Sequence, residues 1–137
     1  MAKDIIHIPV KNAIENGGWT VTNDPYTVQY AEFTMYADLG AERVIAAQRG
    51  KERIAVEIKS FVKRSAVQDV RDALGQYVMY RTYLSRIEPE RKLYLAVSTR
   101  AYNDVFKLKA VQLLVEQFAI ALIVVHIERE EIVQWIE

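Results

Sequence analysis

Arg53-Ile54-Ala55-Val56-Glu57-Ile58-Lys59 is the stretch on which the fold turns. It alternates strictly. Ile54, Val56 and Ile58 project to one face of a strand, and Ala55, Glu57 and Lys59 to the other. The tip Arg49-Gly50-Lys51 precedes it, so Arg43 to Gln48 reads as the other arm of a hairpin. Thr34 to Asp38 and Trp19 to Thr22 are two further strand candidates, the latter closed by the turn signal Asn23-Asp24-Pro25. In front of them, Ile6, Val10, Ala13 and Ile14 recur at helical spacing, with Asp4 as a cap and Asn16-Gly17-Gly18 as a left-handed stop. Pro9 requires that helix to kink or to begin later.

Downstream, Ser65 to Ser85 carries the apolar stripe Val70, Ala73, Leu74, Tyr77 and Leu84 of a long helix, broken by Glu88-Pro89-Glu90. Lys92 to Ser98 reads as a buried strand and Asn103 to Phe118 as a helix. Ile120 to Ile127 reads as a central strand, and Ile132 to Ile136 as a short last element of either type. Hairpin-linked strands come first and crossover-linked strands follow. The fold class is therefore α/β, with a mixed central sheet flanked by helices in one domain over residues 1–137.

Composition narrows the chemistry. The 137 residues are half hydrophobic and a quarter charged, the balance of a globular domain. Cysteine is absent, which excludes disulfides, zinc–cysteine sites and thiol nucleophiles. His7 and His126 are the sole imidazoles, so a metal would be held mainly by oxygen, as Mg²⁺ or Mn²⁺. The formal net charge of zero argues against a broad basic coat for nucleic acid while leaving room for a local groove. The longest apolar run, Phe118 to Val125, is far short of the ~20 residues of a membrane span, and the first residues lack a signal-peptide pattern. A cytoplasmic protein is expected.

Two features carry chemistry. Asp38 closes one strand, and Glu57 and Lys59 share a face of another, so folding can bring two carboxylates and an ammonium into one small volume. Two carboxylates with waters suffice for Mg²⁺, and the Ile58 backbone carbonyl offers one more oxygen. Such an ion would polarise a phosphodiester, with Lys59 orienting water or offsetting transition-state charge. A Glu-x-Lys triplet is also commonly a solvated strand face, but here Glu57 interrupts a core-like run and needs a partner or a metal. On the following helix Gln76 and Tyr80 are stacked at i and i+4, able to hold a phosphate oxygen or Lys59. A tyrosine there also fits as simple core.

An Asp, then Glu-x-Lys, then Gln-x-x-x-Tyr on the next helix resembles the PD-(D/E)XK nuclease superfamily, in the branch of RecB-type nucleases. Asp38-Leu39-Gly40-Ala41-Glu42, Ile54 to Phe61, Ala73 to Tyr77 and Leu93 to Val97 resemble XisH more closely. Gly18-Trp19 and Val133-Gln134-Trp135 agree, so the likeness covers nearly the whole chain. That family is known as a controlling factor for excision of the fdxN element in cyanobacteria. The resemblance implies a restriction-endonuclease-like fold and a role in DNA rearrangement beside a small partner, XisI. It implies Asp38 and Glu57 as metal ligands, Lys59 as catalytic lysine and Gln76 with Tyr80 in support. Ala37 stands where the superfamily name has proline.

In related nucleases the first helix often lends another acidic or histidine group. His7, Lys11 and Glu15 share a stripe here and are the accessory candidates, against the reading of an ordinary solvated helix edge. Arg71, Lys63 and Arg64 are near enough in sequence to touch phosphates, as surface charge also explains. Tyr26, Tyr30 and Tyr36 could stack on bases or sit half-buried in a sheet. Trp19 and Trp135 suit packing at the sheet ends, and His126 a hydrogen-bonded edge. The expected activity is Mg²⁺- or Mn²⁺-dependent hydrolysis of DNA phosphodiesters. The alternatives are a nuclease-shaped module that binds DNA, a recombinase or XisI without cutting, and a plain structural subunit. A homodimer is expected, since one such domain reaches one strand of a duplex.

Overall fold

The computed structural model describes residues 4–46, 50–62 and 65–137. The elements run α1 (His7–Asn16), β1 (Thr20–Asn23), β2 (Tyr26–Tyr30), β3 (Phe33–Ala37), β4 (Leu39–Ala46), β5 (Gly50–Ile58), α2 (Ala66–Ile87) and β6 (Arg91–Ser98). They continue with α3 (Thr99–Ala101), a π-helical turn (Tyr102–Phe106), α4 (Lys109–Gln117), β7 (Leu122–His126) and β8 (Glu131–Ile136). Six strands form one sheet in the order β1-β4-β5-β6-β7-β8. β4 runs antiparallel to β5 with Leu39 opposite Val56, while β5, β6 and β7 are parallel. The architecture is the expected α/β one with a mixed central sheet.

The alternation of β5 sorts the two cores. Ile54, Val56 and Ile58 pack with Val10, Ala13 and Ile14 of α1, and Ala55 packs with Ala73, Tyr77 and Leu84 of α2. Glu57 lies on that second face, 7% exposed among hydrocarbon. Buried Tyr77 donates its hydroxyl to the Leu93 carbonyl at 3.0 Å and accepts from the Ala121 amide at 3.0 Å, fixing α2 to β6 and to the entry of β7.

Pro9 is accommodated because α1 begins at His7, so the missing N–H falls in the first turn, where no intrahelical partner exists. Asp4 serves that end differently from a simple cap. Its Oδ1 accepts from the Ile6 amide at 3.1 Å and its Oδ2 from the Ser60 amide at 3.1 Å, joining α1 to the end of β5. Gly18, at φ 92°, supplies the left-handed exit.

Other expectations are corrected. Tyr26–Tyr30 is a strand, and with β3 it forms a separate two-stranded hairpin packed on α2, so β1 pairs directly with β4. Val28 and Met35 turn inward from it, and Tyr30 stacks on Tyr83 with ring centroids 5.3 Å apart. The helix expected over Asn103 to Phe118 is broken. Ser98 accepts from the Ala101 amide at 3.0 Å and starts a helix before Asn103, and Leu108 is extended (ψ 135°). The break resets the helical phase. Phe106, edge-on to Phe61 at 5.1 Å, and Val111 both reach the core, which a continuous 100° step per residue would not allow. The last element is a strand, β8, at the sheet edge, which leaves β7 inside it. The strand expected over Arg43 to Gln48 is β4, and Ala47, Gln48 and Arg49 lie outside the described residues.

Candidate active site

Asp38 stands in the joint between β3 and β4, and that joint decides its position. Its Oδ2 accepts from the Ile58 amide at 2.7 Å, a hydrogen bond made at the point where β5 runs past the start of β4. N–H and C=O of one strand residue point to the same edge, so the Ile58 carbonyl is directed toward Asp38 as well. Glu57, one residue earlier, is on the α2 face and near enough to Asp38 for the two charges to act on each other. Both acids are pushed up. Burial is the larger cause for Glu57, followed by the negative charge of Asp38, and its pKa rises from 4.5 to about 9. Burial raises Asp38 too, against the opposing hydrogen bond from Ile58. Glu57 therefore keeps its proton at neutral pH.

Lys59 is half-buried, and its backbone N–H joins the Ala96 carbonyl at 3.1 Å. Its ammonium lies near enough to Glu57 to act against the rise in that pKa. Gln76 and Tyr80 come from the α2 face turned toward β5 and the hairpin. Tyr80 donates its hydroxyl to the Tyr36 carbonyl at 3.0 Å, two residues before Asp38. Burial and then the Glu57 and Asp38 charges raise its pKa further. Tyr80 thus combines the two sequence readings, as a core residue whose polar tip lies beside the acids. Asp38, Glu57, Lys59 and Tyr80 lie near one another at the end of β5, and Gln76 is one turn before Tyr80 on α2.

The accessory stripe divides. His7 is 2% exposed, with its Nε2–H directed to Asp24 Oδ1 at 2.9 Å and its Nδ1 3.6 Å from Asp38 Oδ1. Lys11 pairs with Asp24 Oδ2 at 2.9 Å, one step farther out. Glu15 is exposed. A solvated edge describes Glu15 alone. Asp24 is the residue the sequence reading missed. Burial would raise its pKa, but the Lys11 hydrogen bond and the His7 and Lys11 charges hold it below the usual carboxylate range. The signal was present, since two basic groups on one helix stripe call for an acid, yet Asp24 also fitted a turn. Of the other candidates, Arg71 is exposed and bonded to Gln68 at 2.8 Å, and Lys63 and Arg64 lie outside the described residues. His126 Nδ1 accepts from the Arg129 amide at 3.1 Å, a turn contact. Trp19 and Trp135 pack together at 5.8 Å.

The fit to a metal can be tested on the donors. Among the described residues, no three or more His, Asp or Glu side chains gather in a cation-binding group. Two oxygens, Glu57 Oε1 and Gln76 Oε1, are nevertheless buried without a hydrogen-bond partner among the described residues, as is His7 Nδ1. An unpartnered oxygen on one of two neighbouring acids suits a hard cation that keeps several waters. The residues fit Mg²⁺ or Mn²⁺.

A mixed sheet with helices on both faces, carrying two acids, a lysine and a Gln-x-x-x-Tyr helix at one end, defines a domain of restriction-endonuclease-like fold. The chain belongs to the XisH family, whose model, described as XisH protein, matches residues 1–133. A crystal structure of an XisH family protein from Nostoc punctiforme is similar at 38% identity and a TM-score of 0.89, over 98% of this chain and 100% of that one. A crystal structure of a fdxN element excision controlling factor protein from Anabaena variabilis is similar at 37% identity, with the same TM-score and coverage. The curated proteins contain no match. Among the described residues, no helix is long and apolar enough to cross a membrane.

Proposed function

We propose that this chain acts in excision of a DNA element as a divalent-metal-dependent, endonuclease-type domain that hydrolyses phosphodiesters. The observation that carries this reading is the Asp38–Glu57 pair, with Glu57 Oε1 buried and without a hydrogen-bond partner among the described residues. Asp38, Glu57 and the Ile58 carbonyl would hold Mg²⁺ or Mn²⁺. When bound, that ion polarises the phosphodiester and makes hydroxide accessible at neutral pH. The chain's own residues do the rest. Glu57 gives up its proton on loading, Lys59 orients the attacking water and offsets charge on the phosphoryl oxygens, and Gln76 holds a phosphate oxygen. Tyr80 fixes the Tyr36 carbonyl and with it the approach to Asp38.

The resemblance to a fdxN element excision controlling factor supports the biological setting. In that setting the protein is cytoplasmic, works beside the small protein XisI, and pairs as a homodimer to reach both strands. A second reading, a module that binds DNA or a partner and cuts nothing, is favoured by the thin ligand set.

Supercoiled and linear DNA incubated with the protein in Mg²⁺ or Mn²⁺, beside Glu57→Ala, separates the two. Cleavage lost in the variant is the expected result. Wild-type protein that binds Mn²⁺ through Glu57 yet leaves both DNAs intact would establish the binding module instead.

A further inference from the structure

Asp24 lies in the turn between β1 and β2 and takes two donors from one stripe of α1. His7 and Lys11 are four residues apart, so they stand one above the other on the helix. His7 Nε2 is 2.9 Å from Asp24 Oδ1, and Lys11 Nζ is 2.9 Å from Asp24 Oδ2. Each carboxylate oxygen is thus given its own donor. Burial works against the Asp24 charge, but the Lys11 hydrogen bond and the His7 and Lys11 charges keep the group ionised below the usual carboxylate range. An ionised carboxylate only accepts, so the hydrogen in its bond with His7 must belong to Nε2.

That commitment fixes the other end of the ring. With its hydrogen on Nε2, a neutral imidazole carries a lone pair on Nδ1. His7 Nδ1 is buried, has no hydrogen-bond partner among the described residues, and lies 3.6 Å from Asp38 Oδ1. Two acceptors then face each other across a gap in a place where the ring is 2% exposed. A histidine kept for packing alone would turn its hydrogen to Asp38 and satisfy both groups. Asp24 and Lys11 hold it the other way, at the cost of an unsatisfied buried nitrogen. A carboxylate on the far nitrogen is the general device for aiming an imidazole lone pair at a cation and its waters.

We propose that Asp24 is a positioning residue: braced by Lys11, it locks His7 in the Nε2–H tautomer, so that Nδ1 offers its lone pair beside Asp38 Oδ1 to the coordination shell of the divalent cation. The inference rests on the nuclease reading above and deepens it. Asp24 touches neither cation nor DNA and acts through His7. A merely structural Asp24 would change the melting temperature when replaced, but it would not move a hydrogen from one ring nitrogen to the other.

His7 and His126 are the sole imidazoles, so ¹⁵N-histidine NMR of the full chain shows two rings, and His126→Gln tells them apart. In metal-free wild type in mildly alkaline buffer, His7 should be protonated at Nε2 and bare at Nδ1. Added Mg²⁺ should shift the Nδ1 resonance more than that of Nε2. In Asp24→Asn the new amide can donate to Nε2, so the hydrogen should pass to Nδ1 and be given to Asp38, the outcome when an orienting carboxylate becomes an amide. Affinity for Mn²⁺, read by calorimetry without DNA, should fall about 10–100-fold, the usual loss when the group behind such an imidazole is changed. Wild-type His7 protonated at Nδ1, or at both nitrogens, would overturn the proposal whether or not Asp24→Asn folds. So would an Asp24→Asn protein that keeps the wild-type tautomer, or one that exchanges it with Mn²⁺ affinity unchanged. Those failures leave the nuclease reading standing. If wild type takes up neither Mn²⁺ nor Mg²⁺, that reading itself fails and the role of Asp24 with it.

Discussion

Asp38 Oδ2 and the Ile58 amide are joined at 2.7 Å, so a side chain from outside β5 occupies a position in the hydrogen-bonding row of that strand. The bond holds Asp38 beside Glu57 even where both acids are ionised and repel. Their separation is set by backbone pairing between β4 and β5, with Leu39 opposite Val56, and not by the acids themselves. A like-charge pair enforced by a sheet is a stored electrostatic cost, relieved by a proton or a cation.

That cost has a pH signature. The Glu57 pKa is raised by folding from 4.5 to about 9, so between those values the native state holds a proton that the unfolded chain has released. Stability of the metal-free protein therefore falls as pH rises through this window. Glu57→Gln, which cannot ionise, should flatten the decline, and affinity for Mn²⁺ should rise with pH over the same range. Melting curves in a pH series, with and without the substitution, check the first outcome, and calorimetry checks the second. A wild-type slope identical to that of Glu57→Gln would contradict the assignment.

The α1 stripe gives a graded series. His7→Ala removes a buried ring that links Asp24 to the neighbourhood of Asp38 and deletes its hydrogen bond to the Asp24 carboxylate, at a cost of about 1–3 kcal/mol. Glu15→Ala, exposed on the same stripe, should stay within about 0.5 kcal/mol of wild type. Urea unfolding of the two variants measures the difference.

Gly40 is a glycine that packing requires. A Cβ there would lie 2.8 Å from Tyr26 Cδ2, and the ring has nowhere to go. Its hydroxyl is bonded to Glu88, and the Arg91 guanidinium covers its face at 4.4 Å. Gly40→Ala should therefore destabilise by about 1–3 kcal/mol, the usual cost of overpacking, read from the same unfolding curves.

How far the sequence could be read depends on how local each determinant is. The two faces of β5 follow from alternation, so the separation of Glu57 from Ile58 was legible, as was the Gln76–Tyr80 stack on α2. Tyr26–Tyr30 was not, because a strand in a detached hairpin is recognised by what Val28 and Tyr30 pack against, and Tyr83 is distant in sequence. The break at Leu108 was hidden for a similar reason. Helical periodicity is present on both sides of it, and the change of phase shows only when Phe106 meets Phe61. Asp24 reached the site through a turn whose residues all had a sufficient local explanation.

Lys59 offers the sharpest separation of chemistry from folding. Its contribution to the sheet is the backbone N–H to the Ala96 carbonyl, which any residue but proline retains, and its side chain is half-buried. Lys59→Met keeps the stem and removes the charge, so melting should change little. Cleavage should fall about 10²–10³-fold, the usual loss when one group that stabilises transition-state charge is deleted. A second consequence distinguishes electrostatic action from mere packing. The Lys59 charge opposes the rise in the Glu57 pKa, so in Lys59→Met that acid should hold its proton to still higher pH. The alkaline shift should appear in the pH dependence of Mn²⁺ binding, and Lys59→Arg, which restores the charge, should reverse most of it. A Lys59→Met protein with wild-type cleavage and an unmoved pH profile would remove Lys59 from the site.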